Sequence, residues 1–353
     1  LKTEIITINP MYPEFDKIAR CAQAIDQGGL VVFPTETVYG VGADYSNPKA
    51  LQRLQEVKKR PDGKPFSVLV WQKEAIDFLA EPVGTAVYKL IDEFWPGPLT
   101  VVVPSKDGTG TIGIRMPNHT VALSLAREAR CPIAAPSANF HGNRPPKTCQ
   151  EALRDLDGLV DIALDAGPVS VGEESSVVDV TQPLPKVLRE GPITQKDVDA
   201  LTKEKIVLFV CTGNSCRSVM AEYLLRKMLD KRTGIKVLSA GTGVLFNTEA
   251  SSETVEALRK EGMDASEHRS QPLTRTLLKK ADLILTMSQG HRQQVLEKVP
   301  SAGSRTYLLR EFGNTPGSRL NLDIPDPIGR SPEVYQECLL TIKESIKRVA
   351  ELI

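Results

Sequence analysis

The run Cys211-Thr212-Gly213-Asn214-Ser215-Cys216-Arg217-Ser218 sets a thiol and a guanidinium six positions apart in a loop of phosphate size. A thiolate is a strong nucleophile, and a guanidinium offers a planar fork of N–H donors that matches two oxygens of a phosphoryl group. Together they suit phosphoryl transfer to sulfur, the first half of a cysteine-dependent phosphatase reaction. The flanks must position them. Ile206-Val207-Leu208-Phe209-Val210 is a short apolar run suited to a buried parallel strand, and residues 219–229 have the composition of a helix with Leu224, Leu225 and Met228 as apolar positions. The motif is therefore expected on a strand-to-helix turn, where inward backbone N–H groups and the helix N-terminus form an anion cradle. That positive potential, with Arg217, favours the thiolate form of Cys211, and Ser218 is expected to cap the helix and hydrogen-bond the thiolate.

This spacing resembles the low-molecular-weight protein phosphatase family, and the resemblance extends from about Lys205 to the C-terminus. Supporting landmarks are Ser239-Ala240-Gly241-Thr242, His268-Arg269-Ser270 and Ala281-Asp282-Leu283-Ile284-Leu285-Thr286-Met287. The resemblance implies a Rossmann-like parallel sheet, Cys211 as nucleophile, Arg217 on the phosphate, a phosphate loop of Thr212, Gly213, Asn214, Ser215, Cys216 and Ser218, and a general acid from a distant Asp-Pro loop. Asp326 in Ile324-Pro325-Asp326-Pro327-Ile328-Gly329 fits that acid, with prolines stiffening both sides. Family members that act on phosphotyrosine usually carry an apolar residue where this chain has Ser215, and aromatics just after the Asp-Pro. Ser215 and Ile328-Gly329 look more like the protein-arginine phosphatase branch, although that branch usually has Thr at the Ser215 position. A phosphotyrosine phosphatase and a non-catalytic phosphate sensor are the alternatives. Arsenate reduction ranks last, because no cysteine lies between Cys216 and Cys338. Cys216 is a candidate for a reversible disulfide that protects Cys211.

Composition bounds the whole. The chain has 353 residues, 41% hydrophobic and 25% charged, which is enough for two cores of ordinary size. Lys and Arg total 44 against 44 Asp and Glu, so nothing in the balance points to broad nucleic-acid binding. No apolar stretch approaches a membrane span and no signal-peptide pattern opens the sequence; an opening at Leu1 implies a trimmed start. Six cysteines without a Cys-x-x-Cys pair fit a reducing, cytoplasmic setting without zinc, and His119, His141, His268 and His291 read as structural or peripheral rather than metal-ligating.

The polar stretch around residues 195–204 marks the expected boundary: one domain at 1–197, a linker at 198–204, a second domain at 205–353. The first half reads as mixed α/β, with strands expected at residues 30–33, 66–71, 99–103 and 133–135 and a helix at 48–58 carrying Leu51, Leu54 and Val57 on one face. It has no Walker loop and no Gly-x-Gly-x-x-Gly. Instead Phe33-Pro34-Thr35-Glu36-Thr37-Val38-Tyr39-Gly40, Lys58-Lys59-Arg60-Pro61, Trp95-Pro96-Gly97-Pro98-Leu99-Thr100, Ala135-Pro136-Ser137-Ala138-Asn139, Ser175-Ser176-Val177-Val178-Asp179 and Leu188-Arg189-Glu190-Gly191 resemble the YrdC-like threonylcarbamoyl-AMP synthases.

That second resemblance implies a twisted mixed sheet with flanking helices, and synthesis of threonylcarbamoyl-AMP from L-threonine, bicarbonate and ATP. The product would pass to the tRNA threonylcarbamoyl transferase machinery. ATP is then a substrate, arriving with Mg²⁺, and no tightly bound cofactor is expected. Adenylylation leaves charge on pyrophosphate and asks for cations, which Lys58, Arg60 and Arg189 supply. Ser137 and Asn139 can fix phosphate or carbamate oxygens, and Ser175 and Ser176 are placed at the adenylate end. Thr35, Tyr39 and Arg115 are the candidates for holding threonine, Arg115 by its carboxylate. Some members carry a histidine where this chain has Leu69. An RNA-binding module, or a carbamoyl-transfer domain of the hydrogenase-maturation type, is the rival reading. The maturation type would bring an acylphosphatase domain and paired Cys-x-x-Cys segments, absent here.

Overall fold

The computed structural model describes residues 2–61, 65–108, 110–230, 234–313 and 322–353, which fall into two units, Leu1–Thr202 and Lys203–Ile353. In the first, ten strands form one mixed sheet: β1 (Glu4–Thr7), β2 (Val31–Pro34), β3 (Tyr39–Asp44), β4 (Ser67–Leu69), β5 (Leu99–Pro104), β6 (Thr111–Arg115), β7 (Ile133–Ala134), β8 (Ile162–Asp165), β9 (Ser176–Asp179) and β10 (Lys186–Arg189), in the order β1-β8-β2-β3-β7-β4-β6-β5-β9-β10. Its helices are α1 (Phe15–Asp26), α2 (Pro48–Val57), α3 (Ile76–Leu79), α4 (Thr85–Phe94), α5 (Thr120–Glu128), α6 (Cys149–Leu156) and α7 (Gln195–Thr202). Period-two alternation sorts the core into layers. Val31 and Phe33 of β2 pack with α1 and α5, whereas Val32, together with Tyr39, Val41 and Ala43 of β3, packs with α2 and α6.

Helix α2 begins where Asn47 accepts the N–H groups of Lys49 and Ala50, with Pro48 in the first turn. It ends at Lys58, and Lys59 at φ +49° turns the chain back on itself. The expected linker at 198–204 is instead mostly helix. Val198 of α7 is fully buried and Leu201, three residues on, packs against the same apolar cluster as Leu90 and Ile91 of α4, so this short amphipathic stretch gains a partner in the first unit.

The second unit is a parallel sheet of β11 (Lys205–Cys211), β12 (Ile235–Gly241), β13 (Leu283–Thr286) and β14 (Thr306–Leu308), in the order β12-β11-β13-β14. Helices α8 (Arg217–Leu229), α9 (Ser252–Lys260), α10 (Arg275–Lys280), α11 (Gln289–Lys298) and α12 (Pro332–Leu352) accompany it. Strand order reverses at β11, so the carboxyl end of β11, where Cys211 stands, is the topological switch point at which open α/β sheets bind ligands. Among the described residues no helix is long and apolar enough to cross a membrane.

Candidate active sites

In the second unit the strand-to-helix turn places Cys211 at the end of β11, 2% exposed, and Arg217 as the first residue of α8. Cys211 Sγ lies 2.9 Å from Ser218 Oγ and accepts the Asn214 N–H at 3.2 Å. Ser218 therefore meets the thiol as expected but does not cap the helix. The N-cap position is Cys216 and makes no side-chain cap bond, because the serine already lies in the first helical turn. Asn214 holds the loop at φ +51°, a left-handed conformation that asparagine tolerates. Its Nδ2 donates to Ser218 Oγ at 3.0 Å and to Ser239 Oγ at 2.7 Å, and its Oδ1 accepts the Gln271 N–H at 2.9 Å. Ser239 in turn donates to buried Glu222. His268 Nε2 sits 2.9 Å from Asn214 O.

Gly241, at the end of β12, backs the same loop: a Cβ there would stand 2.5 Å from Thr212 O and 3.0 Å from Asn214 N. Only glycine allows that approach. Arg217 donates from Nη1 to Ile324 O at 3.1 Å and from Nη2 to Asp326 Oδ2 at 2.5 Å, while its buried Nε has no hydrogen-bond partner among the described residues. The fork thus turns toward the acid loop, with the Nε–H left over. Ser215 Oγ lies 3.6 Å from Cys216 Sγ, and Cys216 turns to Ser251 Oγ at 3.5 Å and the Tyr335 hydroxyl at 3.8 Å. Both cysteines are free thiols.

In the first unit a cavity of about 640 Å³ is lined by Thr35, Lys58, Arg60, Arg115, Ser137, Asn139, Ser175 and Arg189 of the ten candidates. Sheet register builds its floor. Leu69 of β4 and Thr100 of β5 flank Arg115 of β6 directly, and Gly113, two residues back, leaves room that a Cβ would narrow to 3.1 Å from Ser67 Oγ. Lys58, 2% exposed, donates from Nζ to Ser137 O and to Asn139 O, the latter at 2.6 Å. Burial, with Arg60 adding to it, lowers the Lys58 pKa to about 8. Arg60 donates to Pro65 O at 2.7 Å and covers the Phe66 ring at 4.9 Å from its centroid. Asn139 donates from Nδ2 to Phe140 O and Asn143 O, but its buried Oδ1 has no partner among the described residues.

Arg115 Nη2 lies 2.8 Å from Glu36 Oε1, both side chains less than a tenth exposed, although neither Glu36 oxygen receives a well-directed hydrogen bond. Burial pulls the Arg115 pKa down and Glu36 pushes it back up. Arg189 pairs with Glu174 at 2.5 Å and donates to Ser175 O from Nε and Nη2, at 3.0 and 2.8 Å. A register shift between Val187 and Arg189 lets the consecutive residues Leu188 and Arg189 both line the cavity, which strict alternation would forbid.

Two expectations do not hold in the structure. Tyr39 is fully buried on the α2/α6 side of the sheet, its hydroxyl donating to Gly167 O at 2.6 Å, because alternation along β3 gives the cavity side to Gly40. Ser176 is also fully buried. Its Oγ donates to Ile193 O and accepts the N–H groups of Gly191 and Ile193, so it fastens the chain after β10 rather than facing the cavity. Thr35 lines the cavity, but its hydroxyl already donates to Val38 O and accepts the N–H groups of Thr37 and Val38. Residues the sequence reading left out are Glu36, Thr100 and Glu174 in the first unit and Glu222, Ser239 and His291 in the second. Glu36, Thr100 and Ser239 stood inside motifs already singled out, and His291 was read as structural or peripheral, whereas nothing local in sequence marked Glu174 or Glu222.

Residues 23–191 match the Sua5/YciO/YrdC family, described as telomere recombination, and residues 206–353 match the low molecular weight phosphotyrosine protein phosphatase family. The threonylcarbamoyl-AMP synthase of Bacillus subtilis (strain 168) is 38% identical over 194 residues, 52% of this chain and 56% of that protein, so the chain spans little more than half its length. The Mycobacterium tuberculosis (strain ATCC 25618 / H37Rv) protein named “Putative threonylcarbamoyl-AMP synthase” is 39% identical over 201 residues, 54% of this chain and 92% of its own. The Ralstonia nicotianae protein named “Probable low molecular weight protein-tyrosine-phosphatase EpsP” is 37% identical over 142 residues, 40% of this chain and 91% of its own. In fold, the structure is similar to Pyrococcus abyssi Sua5 complexed with L-threonine, at a TM-score of 0.54 and 24% identity over 87% of this chain and 99% of that one. Through its first unit the chain belongs to the Sua5/YciO/YrdC family of threonylcarbamoyl-AMP synthases, and through its second to the low-molecular-weight protein phosphatases.

Proposed function

We propose that the chain is a bifunctional cytoplasmic enzyme, a threonylcarbamoyl-AMP synthase joined to a cysteine-dependent protein phosphatase that prefers phosphoarginine. The observation that carries the first activity is the convergence of Lys58, Arg60, Arg115 and Arg189 on one cavity; Glu36 and Glu174 offset Arg115 and Arg189, and the remaining excess of positive charge at Lys58 and Arg60 suits a triphosphate. The threonine amine and bicarbonate form a carbamate; a carbamate oxygen attacks the α-phosphorus of ATP, and pyrophosphate leaves. Mg²⁺ enters with ATP as part of the substrate. Lys58, Arg60 and Arg189 receive the phosphates, and Asn139 Oδ1, a buried acceptor without a partner among the described residues, suits a ligand donor. Arg115, held by Glu36, meets the threonine carboxylate; Thr35 shapes the adjoining turn. The P. abyssi relative bears on this reading as a protein complexed with L-threonine. The test is pyrophosphate release, expected only when threonine and bicarbonate are both present. ATP turnover indifferent to threonine would refute it.

For the second unit the carrying observation is Cys211 at the switch point, with the Asn214 N–H and Ser218 hydroxyl on its sulfur and the Arg217–Asp326 pair beside it. The thiolate attacks phosphorus, the S–P bond forms, the bond to the leaving group breaks, and Asp326 protonates that group. Water then attacks the phosphocysteine, Asp326 takes its proton, and phosphate leaves with the thiolate restored. The unpartnered Nε of Arg217 suits a phosphoryl oxygen. The Ser215 hydroxyl in the loop and an exposed Ile328 in place of an aromatic wall favour a polar guanidinium leaving group. Phosphotyrosine is the second reading, favoured by Phe246, an 80% exposed aromatic on the segment following Gly241. Comparing kcat/KM on matched phosphoarginine and phosphotyrosine peptides, with Cys211→Ser as control, separates the two. Cleavage of neither would leave a phosphate sensor.

A further inference from the structure

The start of α11 ties the nucleophile loop to the acid loop. Met287 N donates to Val210 O at 3.0 Å, Met287 O accepts from Ile324 N at 2.8 Å, and Gln289 N donates to Asp323 Oδ1 at 2.7 Å. From the same turn the ring of His291, 6% exposed, brings Nε2 to 2.9 Å from Thr212 Oγ1 and Nδ1 to 2.8 Å from Ser288 Oγ. Thr212 is exposed, one residue after the nucleophile.

Hydrogen counting selects one arrangement. Ser288 Oγ caps α11 by accepting the His291 backbone N–H at 3.3 Å. If it also accepted a proton from Nδ1, its own proton would have no use in this cluster. If it donates to Nδ1, the serine uses both its acceptor and its donor, and the single ring proton sits on Nε2. The ring is neutral, because burial first and the Arg217 charge second push its pKa down to about 4 against the opposing pull of Asp326 and Asp323. Thr212 Oγ1 then accepts from Nε2–H, and the threonine proton is left for something else.

We propose that His291 is a positioning residue of the phosphatase reaction, donating from Nε2–H to Thr212 Oγ1 and so turning the Thr212 hydroxyl proton toward an oxygen of the phosphoryl group carried by Cys211. The inference rests on the phosphatase reading of the second unit. It adds one neutral donor to the charged groups already there.

Two readouts on the full chain test it. In long-range proton–nitrogen spectra, with the His291 signals assigned by their loss in His291→Gln, the expected form is Nε2-protonated and neutral from pH 5 to 8. An imidazolium at pH 7, or an Nδ1–H tautomer, overturns the arrangement. In kinetics, Thr212→Val is expected to lower kcat/KM about tenfold, as loss of a hydrogen bond to a charged group does. His291→Leu should lose about as much, His291→Gln, whose amide can replace Nε2–H, should recover most of it, and Thr212→Val/His291→Leu together should be no worse than either alone. Losses that multiply, or no recovery by Gln, would mean the histidine only supports the fold. If the wild-type chain shows no Cys211-dependent turnover, the phosphatase reading fails, and orthovanadate binding replaces kinetics. About tenfold weaker binding by Thr212→Val supports the donor role, and equal binding removes it.

Discussion

Raising the pH should discharge Lys58 long before an ordinary lysine, and ATP affinity should report it. Lys58 is buried against two backbone carbonyls, and its pKa falls from 10.5 to about 8. A group with that pKa is about three-quarters protonated at pH 7.5 and about one-tenth protonated at pH 9. If the ammonium is needed to bind the triphosphate, the dissociation constant for ATP should rise about eightfold over that interval, whereas a lysine at 10.5 would change it by only a few per cent. The phosphates of ATP are almost fully ionised throughout the interval, and their residual titration would strengthen binding as pH rises, opposite to the expected step, so equilibrium calorimetry at pH 7.5, 8.25 and 9 reports the protein. Lys58→Met should bind weakly at all three values and show no step. A wild-type affinity that stays flat to pH 9, or a step of equal size in Lys58→Met, would refute the reasoning. The same shift has a stability consequence of fixed sign. Between about pH 8 and 10.5 the unfolded chain holds a proton that the folded chain has released, so this group makes stability rise with pH across that window.

Cys211→Ser should abolish phosphatase turnover and leave pyrophosphate release unchanged; loss of both would contradict independent sites. Gly241→Ala should lower phosphatase kcat/KM by about tenfold or more, since the new Cβ meets the backbone oxygen of Thr212 at 2.5 Å and the phosphate loop must shift; unchanged kinetics would show that the loop absorbs the contact. Ser239→Ala removes the acceptor of one Asn214 amide proton in a buried network, and chemical denaturation should show a loss of about 1–3 kcal/mol. Glu36→Ala leaves the Arg115 charge buried without its partner and should cost about 3–5 kcal/mol of first-unit stability, with Glu36→Gln intermediate; a change within about half a kcal/mol would mean that water reaches the arginine.

Local chemistry was readable wherever consecutive residues carry it. The run from Cys211 to Ser218 encodes its own strand-to-helix turn, because an apolar strand, a loop with glycine and asparagine, and a good helix former follow one another without interruption. Strands β2, β5 and β11 and helices α2 and α8 fall within a residue or two of the positions that periodicity gives them. The boundary region failed the same reading. Residues 195–204 look polar enough for a linker, yet Val198 and Leu201 are enough to fasten a helix once the apolar surface beside α4 is available.

The side of the sheet on which a residue stands was not readable. In Ser175-Ser176 two chemically identical neighbours face opposite ways, and in Tyr39-Gly40 the residue with the reactive group turns from the cavity; the pairing register gives the cavity to Ser175 and Gly40 and buries Ser176 and Tyr39. The bulge that brings both Leu188 and Arg189 to the cavity leaves no mark in composition. Contacts between residues distant in sequence were also hidden: the family resemblance brought Asp326 to the Cys211 site, but its pairing with Arg217, like that of Glu36 with Arg115 and His291 with Thr212, is made by chain crossings. By itself the sequence determined which groups could react, since side-chain chemistry and short-range propensity are local. Only the tertiary structure decided which of them meet, because burial and hydrogen-bond partnership depend on strand register and packing across the whole unit.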